Sequence, residues 1–333
     1  MIRIPPSDFE TLFTTPTHWI DVRAPIEFAT GSVPHAVNLP LLEDSERQQI
    51  GITYKESGQD AAVTLGHQLV SGIIRKSRLK KWLNEIKQNP TSTLYCYRGG
   101  LRSQIVQRWL HEQGTDRPII TGGYKALRNF LLEILLTRTN SLEFHVVSGP
   151  TGSGKTKYLH SSGQPFLDLE ALANHRGSAF GAMPTPQPSQ ADFENALAVQ
   201  LIMLAKTKGP ILIESESRMI GHRYLVDPIF NKIQTSKRII LTVSVEERVE
   251  NILQDYVIDS GLRTPGHSER FDDFRKSIQL ITRKLGGQRA QEILNDIDFS
   301  QKEYEEGLGF ESNRVWIQKL LLWYYDPLYK GLY

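Results

Sequence analysis

The chain has 333 residues, 39% of them hydrophobic and 23% charged, with a formal net charge of +2. That composition fits a folded globular protein with room for two ordinary domains and excludes a disordered or collagen-like chain. A single cysteine, Cys96, excludes an internal disulfide framework and a cysteine-based zinc site, and it favours a reducing compartment.

No run of about 18 apolar residues offers a membrane span. Residues 1–8 contain no apolar secretory core. The expectation is a cytoplasmic protein without membrane attachment. In chain order, short apolar runs at 19–22, 36–39, 93–96 and 117–120 alternate with helix-patterned segments. Such alternation predicts a parallel α/β sheet, closed by a helix over about 125–136 and followed by a junction at 138–142. The expected domains are therefore 1–138 and 142–333.

Residues 71–110 carry Arg75, Lys76, Arg78, Lys80, Lys81, Lys87, Arg98, Arg102 and Arg108 against one acid, Glu85. This block suits a polyanion such as nucleic acid, and it suits a solvated helix face equally well. Inside it lies Cys96-Tyr97-Arg98-Gly99-Gly100-Leu101-Arg102-Ser103, between a strand and a helical pattern over 104–113. A cysteine there meets backbone N–H groups and a helix N-terminus, which favours the thiolate. Arg98 and Arg102, with the backbone of Gly99 and Gly100, suit a small anion lying against the loop.

The second domain opens with a strand at 143–148, followed by Gly149-Pro150-Thr151-Gly152-Ser153-Gly154-Lys155-Thr156 and a helix. This fits G-x-x-x-x-G-K-[ST] in the required strand–loop–helix setting. Gly149, Gly152, Ser153 and Gly154 turn backbone N–H groups onto phosphate oxygens. Lys155 adds charge at the terminal phosphates, and Thr156 offers a hydroxyl to Mg²⁺. The cradle reads phosphate rather than what is attached to it, so nucleotide, prenyl diphosphate and RNA phosphate all remain open.

Further strands are expected at 164–168, 210–214 and 238–243. Asp168 and Glu214 end two of them, on the edge where α/β sheets bind ligands. With Glu216 they form a candidate acid or metal shell, although Glu216 and Arg218 read equally well as a structural salt bridge. His145 reads as a packed core residue. The proline-rich 181–188 stretch excludes regular structure and leads into a helix capped near Ser189 or Asp192. From Glu246 onward the pattern is mostly helical. The aromatic end (Trp316, Trp323, Tyr324, Tyr325, Tyr329) reads first as helix packing, with a prenyl channel or base stacking as alternatives. Arg176, Arg218, Arg223, Arg263 and Arg275 join the basic block as RNA-binding candidates.

Residues 19–40 hold D-V-R-x-P-x-E-F and G-S-V-P-x-A-x-N-L-P, with Asp21, Arg23, Glu27, Pro34, Ala36 and Asn38 in place. They resemble the opening of the rhodanese family. Cys96 matches that family's active cysteine, and Gly122-Gly123-Tyr124 resembles its closing G-G segment. A rhodanese followed by a P-loop domain resembles the tRNA 2-selenouridine synthase family over nearly the whole chain. Leu167-Asp168-Leu169-Glu170, His175-Arg176-Gly177-Ser178, Glu214-Ser215-Glu216-Ser217-Arg218, Leu285-Gly286-Gly287 and Tyr324-Tyr325-Asp326-Pro327 add to that likeness. One departure stands out. Sulfurtransferase loops run C-x-x-x-x-[RT], whereas Cys96 to Arg102 is C-x-x-x-x-x-R, a spacing shared with rhodanese-like phosphatases. The wider loop is expected to fit selenophosphate.

The resemblance implies an α/β fold: a rhodanese-like parallel-sheet domain, then a P-loop NTPase-like α/β domain with a helical C-terminal region. It implies a transferase that geranylates 2-thiouridine at the tRNA wobble position with geranyl diphosphate, then replaces the geranylthio group with selenium from selenophosphate. Cys96 would carry selenium as a perselenide; with no second cysteine, selenium passes to the RNA or to an external thiol. The implied partners are the tRNA anticodon region and a supplier of selenophosphate. No tightly bound cofactor is expected, Mg²⁺ is a candidate metal, and the chain is expected to act as a monomer. The rival readings are a phosphatase, a small-molecule P-loop kinase or ATPase with a rhodanese module, and an RNA-binding protein with inactive loops.

Overall fold

The computed structural model describes residues 2–262 and 269–329; Arg263, one of the RNA-binding candidates, lies outside them. The chain forms two compact units, Met1–Ser141 with Pro188–Lys208, and Leu142–Gln187 with Gly209–Tyr333. Among the described residues no helix is long and apolar enough to cross a membrane.

The first unit holds β1 (Arg3–Ile4), β2 (His18–Asp21), β3 (Val37–Asn38), β4 (Ser92–Tyr95) and β5 (Ile119–Ile120). Their order is β1-β5-β4-β2-β3 and every pairing is parallel. Successive side chains leave a strand on opposite faces. Ile20, Leu94 and Ile119 accordingly enter one core with Trp82, Val106 and Leu110, while Trp19, Tyr95 and Ile120 enter another with Phe9, Tyr124 and Leu127. Helices cover both faces, as a fully parallel sheet requires. The edge strand β1 is too short to leave a sequence pattern and was not expected.

Two details differ from expectation. The helix Gly123–Ser141 runs past the expected end near 136, up to the division of the units at Ser141/Leu142. The helix Gln190–Leu204, downstream of the expected border at 142, belongs to the first unit. Ser189 caps it by accepting from Asp192 N. Asp192 accepts from Ser32 N at 2.7 Å, and Asn195 donates to Ser32 O at 2.6 Å. Its buried Phe193, Leu197 and Leu201 complete the anchoring. Its partners, Ser32 at 160 positions and Arg128 at 66, lie far away in the chain, so local pattern carries no trace of them.

The second unit contains β6 (Phe144–Ser148), β7 (Phe166–Leu167), β8 (Ile211–Glu214), β9 (Met219–Ile220), β10 (Arg223–Tyr224) and β11 (Lys237–Ile240). The main sheet, β11-β6-β8-β7, is parallel throughout. β9 and β10 form a small antiparallel hairpin that the sequence did not announce. Beyond Val245 the described residues are mostly helical and close on Phe271, Phe274, Ile278, Ile293, Trp316 and Leu321. The fold class is thus the expected one: two parallel α/β units, the second with a helical C-terminal region.

Candidate functional site

Cys96 follows the last residue of the central strand β4 and is 3% exposed. Its Sγ lies 3.3 Å from Ser103 Oγ, in the first turn of the helix Leu101–His111. The Gly122–Gly123 segment presses on the loop from behind. Gly123 has φ +59, and a Cβ there would fall 2.3 Å from Cys96 O and 2.4 Å from Gly99 N. Only glycine tolerates both the conformation and the approach. Tyr124 N then donates to Cys96 O at 2.8 Å and Lys125 N to Tyr97 O at 3.0 Å, which fixes the loop at its base.

Arg102 is half-buried and gives both terminal nitrogens to Glu27, at 2.5 and 3.0 Å. Glu27 also takes Arg47 at 3.2 Å and the N–H of Ala24 at 3.1 Å. Burial pushes the Glu27 carboxyl up, but the Arg102 hydrogen bonds and charge outweigh that and hold it below its ordinary value. Glu27 therefore positions Arg102, a role the sequence reading did not assign; the E of D-V-R-x-P-x-E was its signal. Arg98 is exposed, with its guanidinium 6.0 Å from the Tyr97 ring. Asp21 and Arg23 are fully buried and paired at 2.6 Å, with Arg23 also 3.9 Å over the Tyr124 ring, so they support the loop rather than act in it.

The basic block splits. Arg78 is 8% exposed, bonded to Glu46 at 2.7 Å and to the carbonyl of Leu41. It shares its helix face with the buried Trp82 and Ile86, four and eight residues on. It is a packing residue, which corrects its expected place among the RNA-binding candidates. Arg75 pairs with Glu112 and stacks 4.5 Å over Trp109. Lys76, Lys80 and Lys81 are exposed.

In the second unit the phosphate loop leaves β6 between β11 and β8. Gly152 and Gly154 hold φ of +80 and +77, which favours glycine. The helix Val245–Ile252 ties the loop down: Arg248 Nε donates to Thr151 O and Asn251 Nδ2 to Gly152 O, both at 2.9 Å. Lys155 Nζ lies 3.3 Å from Gly149 O. Thr156 Oγ1 donates to Glu214 Oε1 at 2.6 Å and stands 3.4 Å from Glu170 Oε2.

Glu170, Glu214 and Glu216 bring carboxylate oxygens within 4.8 Å of one another. Glu214 is fully buried, and its Oε2 has no hydrogen-bond partner among the described residues. Burial first, then the neighbouring carboxylates, pushes all three up to about 8. A crowded, oxygen-only donor set with a hydroxyl beside it fits Mg²⁺.

Asp168 is not in this set. β7 stops at Leu167, so Asp168 caps the helix Leu169–Ala173, accepting from Ala171 N and His160 Nε2, both at 2.8 Å. Glu170, two residues on, takes its place; the D-x-E spacing was the available signal. The Glu216–Arg218 bridge does not form, because Arg218 turns to Asp227 and Tyr224. Arg223 is half-buried on β10 and Arg275 bridges Asp272 and Asp298. Arg176 donates to Asp255 O and lies 4.9 Å over Tyr256. His145 is half-buried, 3.4 Å from Glu143.

A cavity of about 860 Å³ adjoins the phosphate loop, lined by Lys155, Glu170, Arg176 and Glu216, with Tyr256, Tyr325 and Tyr329. Of the aromatic end, Trp316 and Tyr325 are buried in the helical core and Trp323, Tyr324 and Tyr329 pack against it, as expected, while Tyr325 and Tyr329 also reach this cavity. Tyr329 Oη lies 3.1 Å from Thr151 Oγ1.

The model of the tRNA 2-selenouridine synthase AAA domain matches residues 142–332, and that of the rhodanese-like domain matches residues 6–129. The tRNA 2-selenouridine synthase of Nitrosomonas europaea is 44% identical, covering 97% of this chain and 91% of its own. Those of Nitrosomonas eutropha and Bdellovibrio bacteriovorus are each 42% identical, covering 97% and 98% of this chain and 90% and 92% of their own. Likeness of this extent runs through both units and both loops: the chain belongs to the tRNA 2-selenouridine synthase family.

Proposed function

We propose that the chain converts 2-thiouridine at the tRNA wobble position to 2-selenouridine in two steps, the first at the phosphate loop and the second at Cys96. One observation carries this reading: two anion-handling loops of different chemistry, each at the carboxyl end of a parallel sheet, occur in one chain of this family.

In the first step the thiocarbonyl sulfur attacks the prenyl carbon of geranyl diphosphate. The carbon–oxygen bond breaks and diphosphate leaves. The backbone of Gly152 and Gly154, with Lys155, receives the charge that develops there. A divalent cation held by Thr156, Glu170, Glu214 and Glu216 would supply charge neutralisation at the leaving diphosphate. Alkylation turns a poor leaving group into a thiol that departs more readily from C2.

In the second step, electron balance favours attack at phosphorus. The Cys96 thiolate forms a sulfur–phosphorus bond as the phosphorus–selenium bond of selenophosphate breaks. Selenide leaves with that electron pair and displaces geranylthiol from C2 of the base. Water then cleaves the phosphocysteine, returning thiolate and phosphate. The C-x-x-x-x-x-R spacing, with Arg102 held by Glu27, suits a tetrahedral phosphate oxyanion. Loading selenium directly onto sulfur, the perselenide alternative, would leave phosphorus to accept two electrons. We further propose that the chain acts in the cytoplasm, as a monomer, beside an enzyme that supplies selenophosphate.

The test incubates the protein with 2-thiouridine RNA and geranyl diphosphate, then adds selenophosphate, and follows the base by mass spectrometry. Cys96→Ser should stop after geranylation, with selenium transfer reduced on the order of 10³-fold or more. Lys155→Ala should impair geranylation itself. Loss of the same step in both variants would refute this division of labour. Intact-protein mass after selenophosphate alone separates a phosphoryl adduct on Cys96 from a selenium adduct.

A further inference from the structure

The steps above leave one large feature of the first unit unused. A cavity of about 1000 Å³ opens beside the cysteine loop, at the large end of small-molecule sites. Its inner wall is apolar, formed by buried Leu42, Ala62, Val70 and Trp109. Its mouth carries Ile52, Tyr54 and Leu101, which are 48%, 57% and 49% exposed. Three large apolar side chains left open around one cavity mark a binding surface rather than chance exposure. Arg98 and Arg102 of the cysteine loop also line it, with Arg47 and Lys55, and so does Glu27, which pairs with Arg102 and Arg47.

The helix Asp44–Leu69 shapes this space. It bends at Gly58, where φ is +82, and both of its halves line the cavity. Gly51 and Gly66 sit on it in conformations open to any residue, although glycine is a poor helix former. A Cβ on Gly51 would meet nothing within 4 Å, and one on Gly66 only Ile50 Cδ1, at 3.4 Å. Both line the cavity, so their missing side chains keep it open.

We propose that this cavity receives the prenyl chain of the S-geranyl base during the selenium step. The inference rests on the two-step reading above and adds a substrate subsite to it. An open cavity with an apolar inner wall and four cations against one acid among its lining residues suits a hydrocarbon chain carried by a polyanion. Its continuity with Leu101 and Arg102 sets the sulfur end of that chain beside Cys96, where the geranylthio group must leave. Without the prenyl chain the exposed mouth has no apolar ligand to cover it, so the cavity selects the alkylated base over the plain one.

The full chain is tested against two RNAs that differ only at the wobble base, one carrying S-geranyl and the other S-methyl 2-thiouridine. Fluorescence anisotropy reads affinity, and mass spectrometry reads selenium transfer. The wild-type chain should prefer the S-geranyl RNA by roughly tenfold or more. Gly51→Leu and Gly66→Leu should erase that preference while binding the S-methyl RNA as the wild type does. Equal wild-type affinity for the two RNAs overturns the subsite, and this comparison decides even if a substitution disturbs the helix. A preference that survives both variants overturns it as well. A wild-type chain that prefers the S-geranyl RNA yet transfers no selenium to it upholds the cavity and overturns the two-step reading.

Discussion

At the cysteine loop the acid that matters is already satisfied: Glu27 holds Arg102 and Arg47 and takes a backbone N–H as well. At the phosphate loop three glutamates crowd together beside one lysine and one threonine, and one buried oxygen of Glu214 finds no partner among the described residues. Each loop follows the carboxyl end of an interior strand in its own parallel sheet. The difference lies in what completes the charge balance. The first site is organised for an anion by its own side chains. The second would repel a diphosphate unless a cation joined it, since buried carboxylates near a polyanion raise the energy of both.

The widest break in that comparison comes from removing the cation. Chelation of divalent ions should slow geranylation by about 10²-fold or more and leave selenium transfer to a pre-geranylated RNA unchanged. Glu214→Gln should weaken Mn²⁺ binding by roughly 10–100-fold in a calorimetric titration. Geranylation at full rate in chelator would mean that Lys155 and the loop backbone suffice, and the two sites would be electrostatically alike.

Both loops were legible in the sequence because each is a contiguous string whose glycines, cation and nucleophile follow one another at fixed spacing. Gly152-Ser153-Gly154-Lys155-Thr156 and Cys96 through Arg102 fold as read. What escaped was side-chain company from afar. Glu27 meets Arg102 across 75 positions of chain, and Glu170 meets Glu214 only through the sheet. Asp168 looked like the ligand because it ends an apolar run, yet its short reach to Ala171 N made it a helix cap instead. The helix Gln190–Leu204 was legible as a helix, but its place in the first unit was not: its buried Asn195 and its acids Asp192 and Glu194 find partners at Arg128 and Ser32, 66 or more positions earlier in the chain.

A finer test bears on the satisfied site. Glu27→Gln keeps the shape but gives up the charge that holds Arg102. Selenium transfer should fall by roughly 10–100-fold with geranylation intact. The pH dependence has a definite sign. Glu27 is held below its ordinary value of 4.5, so its charged form stabilises the fold above that value, and the contribution fades as the pH falls through the lowered one. The stability gap between wild type and variant in chemical unfolding should therefore be open at pH 7 and close in the acid range. A gap that widened toward acid would mean that burial, not Arg102, governs this carboxyl.

The smallest expected effects separate the two kinds of cation on the helix Gly72–Gln88. Lys76, Lys80 and Lys81 are exposed, while Arg78 is anchored to Glu46 and to the carbonyl of Leu41. If the lysines meet RNA phosphate, Lys76→Ala, Lys80→Ala and Lys81→Ala should each weaken tRNA binding a few-fold and lower the slope of log affinity against log salt by about 1. Their melting temperatures should not move, because no packing is lost. Arg78→Ala should do the opposite: it leaves the carbonyl of Leu41 and the Glu46 carboxylate without their partner, costing about 1–3 kcal/mol of stability, with the salt slope unchanged. Equal salt slopes in all four variants would make the block an ordinary solvated helix face, and the contrast between organised and incomplete charge would then belong to the two loops alone.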